Sequence, residues 1–130
     1  GYWGYPRTMD YPTTLDRCNG ADSVLYIDVP TAFLGSYYLP GVPSYLWTGA
    51  NDLNQSLTSE AKSAFGFVQV DFKQLNGFIC VVAADNPLVS VQERTYLQFL
   101  LTNHPHVSFK AVYSPIYAFG VYIVEREPHE

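Results

Sequence analysis

The segment from Phe78 to Ala83, FICVVA, is an unbroken apolar run, and it constrains the fold more than any other part of the sequence. Such a run, rich in β-branched residues, is typical of a strand that is buried on both faces. A second strand is predicted from Ser23 to Val29, SVLYIDV, which precedes a proline. A third is predicted from Gly66 to Phe72. Because Asn76-Gly77 is a favoured two-residue hairpin turn, we expect the third strand to pair with the apolar run.

The clearest helix signal begins at Ser90. Ser90 and Glu93 fit a capping box, in which the two side chains satisfy free backbone amides reciprocally. An apolar stripe at i, i+3 and i+4 spacing follows, formed by Leu97, Leu100 and Leu101. Pro105 ends this helix. A shorter helix is predicted over Thr31 to Tyr38, with Pro30 in its first turn.

Two further strands are predicted, from Val107 to Tyr113 and from Ala118 to Glu125. The sequence therefore predicts an α+β fold, with a mostly antiparallel sheet of about five strands and one or two helices packed on one face. We expect residues 1–130 to form a single domain. Within it, residues 1–22 are predicted to be an extended aromatic arm, residues 23–125 the core and residues 126–130 a loose tail.

Composition and charge exclude several classes of protein. Apolar residues make up 48% of the chain and charged residues only 15%, which argues against a disordered chain. The net charge is −5, whereas a free-standing nucleic-acid binder is usually basic because phosphate neutralisation supplies most of its affinity. We recognise no signal-peptide pattern in these residues and no apolar run near the ~18 residues of a membrane span. We therefore expect no membrane partner and a cytoplasmic or other intracellular location, including a viral, plasmid or organellar element.

Two cysteines, Cys18 and Cys80, lie far apart in the sequence. Neither belongs to a C-x-x-C pair, so a zinc site or a redox motif is not expected. A disulfide between them is one alternative. Two separate buried thiols are the favoured alternative, because a free cysteine behaves as a small hydrophobic residue.

Asp28 is the main candidate for a site residue. It follows an apolar strand, so its carboxylate should emerge at a strand end, where metal-binding carboxylates are often held rigidly. The alternative, which the pattern alone favours, is that Asp28 caps the helix that starts at Pro30. Asp71 and Asp85 are candidate second carboxylates, although Asp71 also fits a water-facing strand position and Asp85 a turn.

His104 and His106 have the spacing of half a metal site. A solvated turn is favoured for them, because no third or fourth ligand stands nearby in the sequence. The aromatic residues that flank the predicted loops are suited to stacking on bases or sugars, or to anchoring a larger protein. They are Tyr2, Trp3, Tyr5, Tyr11, Tyr45 and Trp47.

Four features appear in a characteristic order. They are the aromatic-Gly segment Tyr2-Trp3-Gly4-Tyr5, the strand and acid of Leu25 to Leu34, the connector Leu39-Pro40-Gly41-Val42-Pro43, and the strands and helix of Phe67 to Val82 and Ser90 to Tyr113. In this order they resemble the region around the first polymerase motif of the protein-primed family-B DNA polymerases of phages, adenoviruses and linear plasmids. That family has an aromatic-x-Gly-Gly element, a strand ending in D-x-x-S-L-Y-P, a Leu-Pro-x-Gly-x-Pro connector and an insertion that contacts the terminal protein. The resemblance covers nearly the whole chain.

The resemblance implies a role for each matching residue. Asp28 would be the catalytic acid that binds two Mg²⁺ ions, which clamp the attacking and leaving oxygens of nucleotide transfer. Phe33 would stand where the family has tyrosine, beneath the incoming sugar, and Thr31 and the neighbouring backbone amides would face the triphosphate. Tyr2 and Gly4 would lie near the template strand. The implied partners are DNA, a deoxynucleotide and a terminal protein.

This chain also departs from the family pattern. Tyr5 replaces the second glycine, and Thr31, Ala32 and Leu34 replace serine, leucine and proline. The lysine-bearing helix that binds the triphosphate and the Asp-Thr-Asp hairpin that completes the metal site have no counterpart. The resemblance therefore implies a palm-region fragment or degenerate homologue that is not catalytically competent alone, with Mg²⁺ as a cofactor only within a complete polymerase.

Two alternatives remain at this point. The first is a non-enzymatic protein-interaction or ligand-binding domain with an unknown partner, which predicts an exposed apolar or aromatic patch and, where that patch is self-complementary, a homodimer. The second is a carbohydrate-binding module, which rests on Trp3, Trp47 and the tyrosines alone.

Overall fold

The apolar run predicted as a strand lies at the centre of a sheet that has seven strands within the described residues. The computed structural model describes residues 9–50, 66–85, 90–114 and 117–127. The strands are β1 (Met9–Asp10), β2 (Ser23–Tyr26), β3 (Ser44–Trp47), β4 (Val68–Val70), β5 (Gly77–Ala84), β6 (His106–Ser114) and β7 (Tyr117–Arg126). The α-helices are α1 (Tyr11–Leu15), α2 (Val29–Tyr38) and α3 (Val91–Asn103), and two short 3₁₀ helices span Asp16–Cys18 and Phe72–Gln74. Together these elements form a single α+β domain, as the sequence predicts. None of the described helices combines the length and the hydropathy needed to cross a membrane.

The order of strands across the sheet is β1-β6-β7-β5-β2-β3-β4. Four of the pairings between described strands are parallel, and both antiparallel pairings involve β7. The prediction of a mostly antiparallel sheet is therefore wrong, although the α+β class is confirmed. The reason is that apolar patterning reports how a strand is buried and does not report which strand it pairs with.

The expected hairpin at Asn76-Gly77 is also wrong. Strand β4 pairs with β3, whereas β5 pairs with β2 and β7, so the two segments flanking this turn are not neighbours. Gly77 has a positive φ of 83°. A side chain at this position would overlap the Asp22 carboxylate, which accepts a hydrogen bond of 2.8 Å from the Phe78 amide. Glycine at this position therefore allows Asp22 to approach the backbone closely, and it does not form a hairpin turn.

The central strands present alternate side chains to two different apolar clusters, one on each side of the sheet. On the side that we call the α2 face, Val24 and Cys80 pack with residues of α1 and α2. On the opposite side, the α3 face, Leu25 and Val81 pack with Leu100 of α3. The expected burial of β5 on both faces is confirmed, because every residue from Ile79 to Ala84 is buried. The expectation that the helices pack on one face is wrong, since α3 lies opposite α2.

The segment before β2 differs from the predicted extended arm. Within residues 9–22 the chain forms β1, α1 and a 3₁₀ helix. Leu15 and Cys18 have no solvent exposure and belong to the cluster on the α2 face. The prolines and glycines of this segment separate short helices, which tertiary packing stabilises. Helix propensity alone does not predict helices of this length.

Cys18 and Cys80 form a disulfide, with their Cα atoms 5.6 Å apart. The favoured prediction of two separate thiols is therefore wrong. The bond links the N-terminal segment to β5, which lies in the middle of the sheet. Sequence reasoning could not bring the two residues together, because it placed Cys18 in an extended arm outside the core.

Candidate functional site at the carboxyl edge of the sheet

Four neighbouring strands, β4, β3, β2 and β5, run in the same direction and end at the same edge of the sheet, which we call the carboxyl edge. At this edge, polar residues follow the ends of the strands. They are Asp28 after β2, Thr48 after β3, Asp71 after β4 and Asp85 after β5. The sequence identifies the three acids individually, but it does not group them, because the grouping depends on the parallel directions of the strands.

The winding of the chain reverses between β2 and β5. From β2 the chain proceeds outward to β3 and then to β4, and it returns to form β5 on the other side of β2. Two adjacent parallel strands whose connections leave in opposite directions define a topological switch point. In open α/β sheets, ligands bind in the crevice outside the carboxyl ends of the strands at this point.

Asp28 lies at this switch point, two residues after the end of β2 and immediately before α2. The residue is only 2% exposed. One carboxylate oxygen accepts a hydrogen bond of 2.9 Å from the Thr31 amide, and the other accepts one of 2.7 Å from the Ala84 amide at the end of β5. Asp28 therefore joins the ends of the two strands that flank the switch point. The alternative that Asp28 caps the helix is confirmed.

Burial raises the pKa of the Asp28 carboxyl above its usual range, and the hydrogen bonds from Ala84 and Thr31 oppose this shift. Amide donors stabilise the ionised form, whereas the loss of water destabilises it. Each carboxylate oxygen accepts one backbone hydrogen bond and keeps a further lone pair, so these two bonds alone do not decide whether Asp28 binds a metal ion. The metal-binding role of Asp28 stays a prediction.

The other residues predicted from the polymerase resemblance lie in different environments. Thr31 is buried beside Asp28, and its hydroxyl donates to the Asp28 carbonyl at 3.1 Å. Phe33 is 45% exposed on the outer side of α2, where its ring meets the edge of the Phe67 ring at 5.5 Å between centroids. The structure thus brings Asp28 and Thr31 together, and it turns Phe33 toward solvent. Tyr2 and Gly4, predicted to bind DNA, lie outside the described residues.

Each of the other two acids of the carboxyl edge interacts with a side chain that is close in space. Asp71 accepts a hydrogen bond of 3.0 Å from the Thr48 hydroxyl, which ties the ends of β3 and β4 together. The Asp71 amide donates to the Gln74 side chain at 2.8 Å and so helps to start the second 3₁₀ helix. Asp85 forms an ion pair with Lys110 of β6.

His104 and His106 face different neighbours. The His104 ring packs against Phe72, with 4.8 Å between ring centroids. The Nδ1 atom of His106 lies 2.9 Å from the His104 carbonyl oxygen, in a local turn. Among the described ranges, no three histidine, cysteine or acidic residues are grouped as a metal site would require.

A groove of about 650 Å³ opens beside the end of β5, between α3 and the sheet. We call it the α3 groove. Its lining includes Ala84, Asp85, Arg94, Gln98, Lys110 and Tyr122. It begins at the carboxyl edge and continues across the α3 face. Sequence reasoning missed Arg94, Lys110 and Tyr122, because only the fold brings helix α3 and strands β6 and β7 around one space.

Comparisons with known proteins identify no relative of this chain. No protein-family model matches the chain, and no curated protein or solved structure is significantly similar to it.

Proposed function

We propose that this chain is a small-molecule-binding domain whose ligand enters the α3 groove from the carboxyl edge of the sheet. The observation that carries the proposal is the α3 groove, which opens beside the end of β5, one of the two strands that flank the switch point. A crevice at such a point is the usual ligand site of open α/β sheets. The α3 groove lies next to the end of β5.

The size and lining of the α3 groove support this proposal. Ligand sites in proteins are mostly concave spaces of about 300–1,000 Å³ with an apolar lining and a few well-placed polar groups. The α3 groove has about 650 Å³. Leu97, Leu101 and Tyr122 supply its apolar wall. The charged groups of the lining are Arg94, Lys110 and Asp85.

The first turn of α2 does not offer the usual phosphate site of such sheets. A phosphate at a helix N-terminus binds the free backbone amides and benefits from the helix dipole. Here the Asp28 side chain already accepts a hydrogen bond from the Thr31 amide, so an acidic group of the protein occupies that position. The ligand of this domain is therefore proposed to bind on the α3 side of the switch point.

The proposal is tested by recording amide shifts in ¹H–¹⁵N spectra of the isotope-labelled chain during titration with a small set of aromatic fragments. We expect the shifts to concentrate at Ala84, Asp85 and the first two turns of α3, because these backbone amides border the α3 groove. Fragments that shift only the outer side of α2, around Phe33 and Tyr37, would contradict the proposal.

The kinship with a polymerase palm is a separate proposal. It is supported by the position of Asp28 immediately after a central strand and by the order of segments in the sequence. Its test is a titration with Mg²⁺ that follows the Thr31 and Ala84 amides, since both donate to Asp28. Metal binding at Asp28 would shift both signals strongly and would be lost in Asp28→Asn, whereas unchanged signals at millimolar Mg²⁺ would show that the isolated chain binds no metal at Asp28.

The location of the protein is also a proposal. The disulfide between Cys18 and Cys80 supports maturation in an oxidising compartment, because disulfides are rare in reducing ones. Alkylation of the natively isolated protein under denaturing conditions tests this. Two reactive thiols would favour the intracellular location expected from the sequence, and none would favour export.

A further inference from the structure

We infer that the α3 groove selects a flat apolar molecule that carries one carboxylate or phosphate group, held by Arg94 and Lys110. This inference rests on the proposed binding function and adds the chemical class of the ligand. It is carried by the charge, the geometry and the aromatic floor of the α3 groove.

The charge of the α3 groove is opposite to that of the whole chain. The chain has a net charge of −5, whereas the lining of the groove contains two cations, Arg94 and Lys110, and one acid, Asp85. The lining therefore carries a formal net charge of +1, and the field of a cleft favours ligands of the opposite sign. The local excess of positive charge therefore favours an anionic ligand.

Arg94 is available to such a ligand. It is exposed on α3 and forms no ion pair with any residue in the described ranges. A guanidinium presents its donors in a planar fork, which matches the oxygens of a carboxylate or phosphate. Gln98 lies one turn further along the same side of α3 and adds an amide donor.

Lys110 is already paired with Asp85, but this pair is easily rearranged. The side chains of Lys110 and Asp85 are 58% and 46% exposed. Ion pairs between solvent-exposed groups contribute little, commonly about 0.2–1 kcal/mol, so a ligand anion can compete with Asp85 for the ammonium group. Asp85 then acts as a built-in competitor that lowers the affinity for anions.

Tyr122 supplies a flat floor for the apolar part of the ligand. A Cβ atom at Gly120 would lie only 2.6 Å from Cζ of Tyr122, so the tyrosine ring lies along β7 over a position that has no side chain. Leu97 and Leu101 border the α3 groove from the helix side. Offset stacking on an aromatic ring is favourable, so an aromatic or other planar body fits this floor.

The experiment compares matched probes in the same ¹H–¹⁵N titration. Benzoate and phenyl phosphate carry the acidic group, benzamide is the neutral analogue of benzoate, and benzylamine carries the opposite charge. We expect benzoate or phenyl phosphate to bind at least about fivefold more tightly than benzamide, because only the acidic group can form a hydrogen bond between two charged groups with Arg94. A fivefold difference in affinity corresponds to about 1 kcal/mol. The two acidic probes, compared with each other, distinguish a carboxylate site from a phosphate site.

The variants assign the selectivity to named residues. Arg94→Gln should weaken benzoate or phenyl phosphate about tenfold, since a charge-assisted hydrogen bond is lost. Asp85→Asn should strengthen the same probe about threefold, because Lys110 is released. Lys73→Gln, at an exposed residue outside the α3 groove, is the matched control and should change the affinity less than about twofold.

The outcomes separate this inference from the function on which it rests. If benzamide or benzylamine binds in the α3 groove as tightly as the acidic probes, the groove is a ligand site but the inferred anion selectivity is wrong. If no probe shifts the amides that border the groove, both proposals fail. If benzoate binds and Arg94→Gln leaves its affinity unchanged, Arg94 is not the anion-binding residue and the inference is overturned.

Discussion

The two faces of the sheet are closed by helices in different ways. The ten-residue helix α2 buries four of its residues against the sheet, whereas the thirteen-residue helix α3 buries only two. The α2 face is also cross-linked by the disulfide from Cys18 to Cys80. On the α3 face, Tyr96 and Tyr122 remain partly exposed and the α3 groove stays open.

This difference shows how a small domain can combine stability with space for a ligand. Tight packing and a covalent cross-link on the α2 face stabilise the sheet, so the α3 face does not have to be filled completely. If this interpretation holds, changes on the α2 face should lower the free energy of unfolding more than comparable changes on the α3 face. The predictions on the disulfide, on Gly35 and on Ser90 test that ranking.

The largest effect is expected from removal of the disulfide. The two cysteines are separated by 62 positions. Closing a loop of this length stabilises a protein by about 4 kcal/mol in the chain-entropy model. The double variant Cys18→Ala with Cys80→Ala should lower the free energy of unfolding by about this amount, measured by urea denaturation. Dithiothreitol should destabilise the wild-type protein and leave the variant unchanged, and a loss below about 1 kcal/mol would contradict the prediction.

The next effect concerns Asp28, which lies between the two faces at the switch point. Asp28→Ala leaves two buried amides, those of Thr31 and Ala84, without their acceptors. An unsatisfied buried donor costs about 1–3 kcal/mol, so we expect a total loss of about 3 kcal/mol in urea denaturation. A loss of only about 1 kcal/mol, as is typical for an exposed helix cap, would show that the hydrogen bond between Asp28 and β5 does not contribute to stability.

Asp28 also gives the stability a defined dependence on pH. Because burial raises the pKa of its carboxyl in the folded state, folding takes up a proton between the ordinary pKa of aspartate and the raised value. The contribution of Asp28 to stability therefore falls as the pH rises through this window, and it is constant above and below. The measurement is the difference in unfolding free energy between the wild type and Asp28→Asn across the acid range. A difference that grows in favour of the wild type with rising pH would contradict the sign.

A smaller loss is expected where α2 approaches β2. Gly35 lies so close to Tyr26 that a side chain at this position would overlap the tyrosine hydroxyl. Overpacking of this kind costs typically about 1–3 kcal/mol, so Gly35→Ala should be destabilising although alanine favours helices. Gly41→Ala is the matched control, because nothing lies within 4 Å of the added atom. Equal thermal stability of the two variants would show that α2 can move away from the sheet at little cost.

The sequence predicts individual elements better than their arrangement. Ser90 predicts the start of α3, and β2, β5, β6 and β7 lie within or close to their predicted ranges, because apolar runs and caps are local signals. Strand β3 was missed, since Ser44–Trp47 is short and follows a proline. The pairing of β5 with β2, the disulfide and the α3 groove all depend on contacts between residues distant in the sequence, which apolar periodicity does not encode.

The smallest effect is expected at the cap of α3, which is the counterpart of Asp28 on the more open face. The Ser90 hydroxyl accepts a hydrogen bond of 3.1 Å from the Glu93 amide, and this contact is local to the first turn. Loss of such a cap costs typically about 1 kcal/mol, so Ser90→Ala should lower the unfolding free energy by about that amount, less than Asp28→Ala. The same variant should loosen the first turn of α3, and hydrogen exchange of the amides around Arg94 measures this. A loss as large as that of Asp28→Ala would mean that α3 supports the sheet as strongly as α2 does, and the proposed division between the two faces would then be wrong.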